Sequence, residues 1–175
     1  PAHAPQAQIL FRMHETSLSV AENLLLGRQR TREFSRLGLH LRKRRINRHA
    51  KEMVQNYDIR TSSIDEPTGS LSGGNMQKVV IAREFEFDSP VLLVCQPTRG
   101  VDIGATEFIH EHIIQKRNEG CAILLISADL DELFRLSDTL VTLYDGRITG
   151  KFKAGEISME EIGFYMLGAK VQEEA

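Results

Sequence analysis

No stretch of the sequence approaches the roughly eighteen consecutive apolar residues that a membrane-crossing helix requires. Nor do the first residues, PAHAPQAQIL, set a basic segment ahead of an apolar one, so they do not read as a secretory signal. Cysteine is scarce. Cys95 and Cys121 are the two in the chain, and both sit inside apolar runs, VLLVC and CAILLIS, rather than at metal-ligand spacing. They read as reduced core thiols of a cytoplasmic protein. An excess of one charge is missing too: 22 Lys and Arg stand against 24 Asp and Glu, for a formal net charge of -2. As a whole, then, the chain is neither a polyanion binder nor an acidic tail. What is present is 41% hydrophobic residues in a chain of 175, enough to fill the core of one ordinary domain.

Along the chain the texture changes. Residues 1–16 show no helical or strand period and are left unassigned. From Ser19 the string SVAE places a hydroxyl three residues before Glu22, a capping box, with LLL behind it as a helix interior over about 19–29. Between Arg28 and Arg48 nine basic residues (Arg28, Arg30, Arg32, Arg36, Arg42, Lys43, Arg44, Arg45, Arg48) face a single acid, Glu33. Ile46, Ala50, Met53, Val54 and Tyr57 then recur at steps of three and four, which predicts a helix over about 43–57 with its arginines opposite the apolar stripe. From residue 71 onward helix and strand patterns alternate. VLLVC (91–95), CAILLIS (121–127) and DTLVTLY (138–144) are short apolar runs, and GATEFIHEHIIQKRNEG between the first two is a helix stopped by Gly120. Such strands predict an α/β fold with a mainly parallel sheet covered on both faces. Asp145-Gly146 predicts a hairpin that adds an antiparallel end to that sheet, and a short helix follows over about 158–168.

The string LSGGNMQKVVIARE (71–84) carries the chemistry. A serine and two glycines opening a helix give a free hydroxyl, close backbone approach and several unpaired N–H groups aimed at one point, which suits a phosphate. Standing alone, it would equally be a serine cap after a loose turn. It is followed by VLLVCQPTRGVD (91–102), a strand ending in a polar turn, and by a strand ending in ISADLDE (126–132).

In these strings the sequence resembles the ATP-binding subunits of ABC transporters, over about 17–168. The resemblance implies a partial P-loop NTPase fold: a helical subdomain at 17–87 that ends in the signature loop and its helix, then the C-terminal part of the ATPase core at 88–175. It implies that Leu71, Ser72, Gly73, Gly74 and Asn75 form the signature loop, with Gln77 in support. That loop meets the γ-phosphate of ATP held by the opposite domain. Val101 and Asp102 match the end of the dimer-contacting D-loop. Cys95 falls at the Walker B aspartate, Gln96 at the catalytic glutamate and Ala128 at the switch histidine.

Those last three are departures. A thiol does not hold hydrated Mg2+ as a carboxylate does, a carboxamide orients water without taking its proton, and alanine offers a γ-phosphate nothing. Nothing in the chain matches G-x-x-x-x-G-K-[ST]. IDEPTG (64–69) imitates Walker B but lacks a preceding apolar strand, and GRITGK (146–151) has three intervening residues where a P-loop has four. His110 and His112 point apart on a helix and make a poor metal pair; His3, His14, His40 and His49 have no identifiable partner. No metal site of the chain's own is expected.

The resemblance therefore implies the C-terminal part of a second, degenerate nucleotide-binding domain, a fragment of something longer. Its signature loop completes a composite ATP site while the partner domain holds Mg2+, and the chain alone is inactive as an ATPase. PTRGVDIGA and SGGNxQK look like the importers of simple sugars and nucleosides. That implies a second nucleotide-binding domain and membrane-spanning permease subunits as partners, a substrate-binding protein indirectly, and a place on the inner face of the plasma membrane. Two other readings stand beside it. One is a soluble ABC ATPase acting on nucleic acid or the ribosome through the 28–48 arginines, although no aromatic residue is interleaved among the charges of the basic helix at 42–48. The other is a non-functional truncated remnant.

Overall fold

The computed structural model describes residues 7–10, 15–87 and 89–172, in two compact units, Pro1–Leu124 and Leu125–Ala175. His3, His14 and most of the unassigned 1–16 segment lie outside the described residues. Part of that segment is ordered into a strand, β1 (Ala7–Leu10), which pairs in parallel with β4 (Val91–Cys95), Ala7 opposite Val91 and Leu10 opposite Val94. The segment left unassigned from the sequence thus contains a strand: four residues are too few to show a period, and the register comes from pairing with a distant partner.

In the first unit, α1 (Val20–Leu25) starts on Ser19 as read from the sequence. The Ser19 N–H donates to Glu22 Oε2 at 2.8 Å, and the Glu22 N–H donates to Ser19 Oγ at 3.2 Å. The helix ends earlier than the expected 29, because Leu26 leaves the helical region and Gly27 takes φ +85°. A fully buried amide, Asn23, ties it down: Nδ2 donates to Thr68 Oγ1 at 2.7 Å and to the Glu15 carbonyl at 2.9 Å, while Oδ1 accepts from the Glu15 N–H at 3.0 Å.

A small hairpin that the sequence did not suggest follows, β2 (Ser35–Arg36) with β3 (His40–Leu41). Then comes α2 (Lys43–Asn56), burying Ile46, Ala50 and Met53 along one stripe. Leu25, Phe34 and Ile46 pack α1, the hairpin base and α2 together.

The centre of the unit is α3 (Gly73–Phe85), in which Val79, Val80, Ile81 and Ala82 have no exposed surface. After β4 comes α4 (Ile103–Asn118), ended with Gly120 at φ +94°, then β5 (Ala122–Ile126), giving a three-stranded sheet in the order β1-β4-β5. The expectation that every strand is covered on both faces fails at β5, where Leu124 is 58% and Ile126 46% exposed.

The second unit holds α5 (Leu130–Leu136), β6 (Thr139–Tyr144), β7 (Arg147–Lys153) and α6 (Met159–Met166). Asp145 and Gly146, at φ 46° and 73°, make the tight turn expected of that pair. The hairpin is a two-stranded sheet of its own rather than the antiparallel end of the larger one, which corrects that expectation. Local alternation fixes a hairpin but not the neighbour beyond it. Leu140, Ile157 and Ile162 form the unit's core, with Leu133, Phe134 and Phe152 packed against it.

Candidate functional site

Leu71–Asn75 is a helix entrance. Ser72 is the N-cap of α3, with extended φ and ψ of -63° and 156°, and its Oγ accepts from the Asn75 N–H at 3.4 Å. The Asn75 side chain adds a second donor to the same oxygen, Nδ2 at 2.9 Å, while its Oδ1 accepts from the Arg60 N–H at 2.8 Å. Asn75 thus fastens the serine to the end of the 58–60 turn. A hydroxyl has two acceptor positions and one proton. Both acceptor positions of Ser72 are engaged from within the loop, so its proton is available to an outside acceptor. Ser72 is exposed, the first turn of α3 carries no acid, and the helix's leading N–H groups share that end. The arrangement favours an anion.

Gln77, one turn further on, is buried at 3% exposure and has its place inside the helix packing rather than at the open end. Lys78, also buried, reaches back to the 58 turn: Nζ lies 2.9 Å from both the carbonyl oxygen and Oδ2 of Asp58, and 4.4 Å from the centre of the Phe108 ring. That ammonium holds the exposed Asp58 carboxyl below its ordinary value, chiefly through the hydrogen bond. Tyr57, stacked with His112 at 5.2 Å, is pushed up to about 12 by burial.

The structure brings two of the sequence-selected groups together. A Cβ on Gly74 would lie 2.9 Å from Asp102 Oδ2 and 3.0 Å from Ala105 Cβ, and one on Gly73 would lie 3.2 Å from the Gly100 carbonyl oxygen. The 71–75 loop therefore rests directly on the 100–105 turn. Asp102 is the N-cap of α4, accepting from the Ala105 N–H at 2.9 Å, and Val101 is half-buried beside it. Arg60, Gly100 and Ala105 were not selected from the sequence. No local pattern marks them, because their parts are a backbone N–H, a carbonyl and a small side chain.

Cys95 ends β4 as a free, half-buried thiol. Gln96 follows in the left-handed region at φ 50°, its carbonyl accepting from the Arg99 N–H at 3.3 Å to close the turn that leads to Gly100. For a residue with a Cβ, that conformation costs on the order of 1 kcal/mol. Ala128, in the second unit, is exposed, one residue ahead of Asp129, the N-cap of α5.

The imitation motif at 64–69 is structural: Glu66 accepts from the Ser62 N–H and Ser62 Oγ, both at 2.9 Å, and from Thr61 Oγ1. Its carboxyl is held below its ordinary value by those donors, the Thr61 hydrogen bond first. Among the described residues no helix is long and apolar enough to cross a membrane.

No family model matches the chain. Whole-sequence comparison does find relatives. The chain is 40% identical over 156 residues to the nucleoside import ATP-binding protein NupA of Lactococcus lactis, covering 89% of this chain and 31% of that protein. It is 37% identical over 154 residues to the guanosine import ATP-binding protein NupO of Bacillus subtilis, covering 88% and 30%. Against the ribose import ATP-binding protein RbsA 1 of Rubrobacter xylanophilus it is 41% identical over 145 residues, covering 83% and 29%. The chain thus spans less than a third of the length of these relatives.

Among solved structures, the dimeric post-hydrolysis state of the ATP-binding cassette MJ0796 bound to ADP and Pi superposes with a TM-score of 0.69 at 22% identity, covering 87% of this chain and 65% of that one. A nucleotide-free cassette from an ABC transporter gives 0.68 at 22% identity, covering 91% and 64%. The chain is a homologue of the ATP-binding proteins of nucleoside and sugar importers, built on the P-loop NTPase fold of ABC ATPase cassettes.

Proposed function

We propose that this chain serves ATP-driven import of nucleosides or simple sugars, by presenting the 71–75 loop to ATP held on another nucleotide-binding domain. The observation that carries the reading is the state of Ser72. Its oxygen is filled by two donors from Asn75, and its remaining proton sits with unpaired helix N–H groups at an exposed end whose own first turn carries no acid. Such an end stabilises a phosphate oxygen without reorganising. The glycines at 73 and 74 allow the loop to lie flat on the 100–105 turn, so Val101 and Asp102 present a surface continuous with it.

ATP and its Mg2+ are held by the partner domain, since the 175 residues carry no G-x-x-x-x-G-K-[ST] string, and Cys95, Gln96 and Ala128 supply no carboxylate or imidazole. The membrane-spanning permease subunits are the further partners of a chain that sits at the inner face of the plasma membrane, and a substrate-binding protein is an indirect one.

Calorimetric titration of Mg-ATP into the chain alone should give no saturable binding. Addition of a P-loop-bearing cassette from the same importer should produce binding tighter than the cassette achieves by itself. Micromolar ATP binding and turnover by the isolated chain would refute the reading.

A further inference from the structure

The segment between α1 and α2 is unlike the rest of the surface. Nine basic residues against one acid lie between Arg28 and Arg48 in a chain whose net charge is -2. Arg28 is engaged, 3.0 Å from Glu33 and 5.1 Å over the Phe34 ring. Arg30, Arg32, Arg36, Arg44, Arg45 and Arg48 are exposed and make no ion pair among the described residues. Three of these cations fall within the first two turns of α2, which has no acid in its first turn and no side-chain cap. Cations at a helix N-terminus oppose its dipole, so this end is unfavourable unless an anion meets it.

The hairpin in front of that helix end has an apolar tip. Leu37 is 91%, Leu39 82% and Leu41 54% exposed. Leu37 stands at φ 56° with Gly38 at 72°, a left-handed pair in which leucine is strained. The base is held, by the Arg42 N–H donating to the Phe34 carbonyl at 2.8 Å and by Phe34 packed on Leu25 and Ile46, so the tip projects from a fixed platform.

We propose that this hairpin and the α2 entrance form a membrane-contact site for an anionic lipid surface, with Leu37 and Leu39 entering the interface while the surrounding arginines meet phosphate headgroups. Exposed apolar side chains flanked in the chain by unpaired cations fit that boundary, where one group needs hydrocarbon and the other needs negative charge. An RNA would account for the arginines but would leave two leucines at a polar contact.

The test is flotation of the 175-residue chain with vesicles of phosphatidylcholine alone, and with vesicles that also contain phosphatidylglycerol. The chain should partition onto the anionic vesicles and not the neutral ones, and added salt should weaken the binding. The double variant L37S/L39S should lower partitioning about tenfold, and R44E/R48E should abolish it. Both should keep the circular dichroism of the parent, since the four side chains are exposed. Equal binding to neutral vesicles, no binding to either, or partitioning indifferent to L37S/L39S would overturn the proposal. So would binding of single-stranded RNA that R44E/R48E abolishes, if the anionic vesicles capture nothing.

Discussion

Gly74 shows how little freedom the 71–75 loop has. A methyl group there would press against Asp102 Oδ2 and Ala105 Cβ at 2.9 and 3.0 Å; the first belongs to a carboxylate held as the N-cap of α4 by the Ala105 N–H, and the second is fixed to the backbone of that helix. Gly74→Val should therefore destabilise the first unit by about 1–3 kcal/mol, measured by urea denaturation. His49 carries a different signature. Packed 5.0 Å from the Phe34 ring, it has its pKa lowered from 6.5, first by burial and then by Arg28. The folded chain then disfavours the protonated form more than the unfolded chain does. Stability should be full above pH 6.5 and fall as the pH drops through the lowered folded value. The carboxylates of Asp58 and Glu66, both lowered, act in a separate window: their contribution is present above their ordinary values of 3.8 and 4.5 and disappears in stronger acid. His49→Leu should flatten thermal stability between pH 7 and 5, on the order of the range set by the ordinary histidine value, and leave the acid limb intact. An unchanged slope would remove His49 as the cause.

At the scale of elements, legibility followed locality. Ser19 with Glu22 marked the start of α1, the stripe Ile46, Ala50 and Met53 marked α2, and Asp145-Gly146 marked the β6-β7 turn, because each signal lies within a few residues of its effect. Elements defined by distant partners were not legible. The strand β1 exists through pairing with β4, some 84 positions away from Ala7 to Val91, and the β2-β3 hairpin is held by Phe34 among Leu25 and Ile46. The candidate site divides in the same way. Ser72 and the two glycines could be chosen from their string. Contact of Gly73 and Gly74 with Gly100, Asp102 and Ala105 arises from packing of α3 on α4, which no spacing rule encodes. Arg60, bonded through its backbone to Asn75, could be any residue with an N–H, so its side-chain identity gave no signal.

At the scale of the molecule, the residues singled out for the proposed role are divided between the two units. Ser72, Cys95, Gln96 and Asp102 belong to Pro1–Leu124, and Ala128 to Leu125–Ala175. Apolar side chains remain uncovered in both, Leu124 and Ile126 in β5, Leu143 and Ile148 in the β6-β7 hairpin. The intact element is the α3 entrance, and the central claim is that it acts on ATP bound elsewhere. Ser72→Asp separates that role from stability, because aspartate caps a helix about as well as serine while placing a negative charge where the phosphate would sit. The deciding measurement is steady-state ATP hydrolysis by an assembly of this chain with its P-loop-bearing partner, with the melting temperature of the chain followed in parallel. The account predicts that Ser72→Asp leaves the melting temperature in place and lowers turnover about 100-fold, the scale of losing one preorganised donor. Parental turnover in the Ser72→Asp assembly would contradict it.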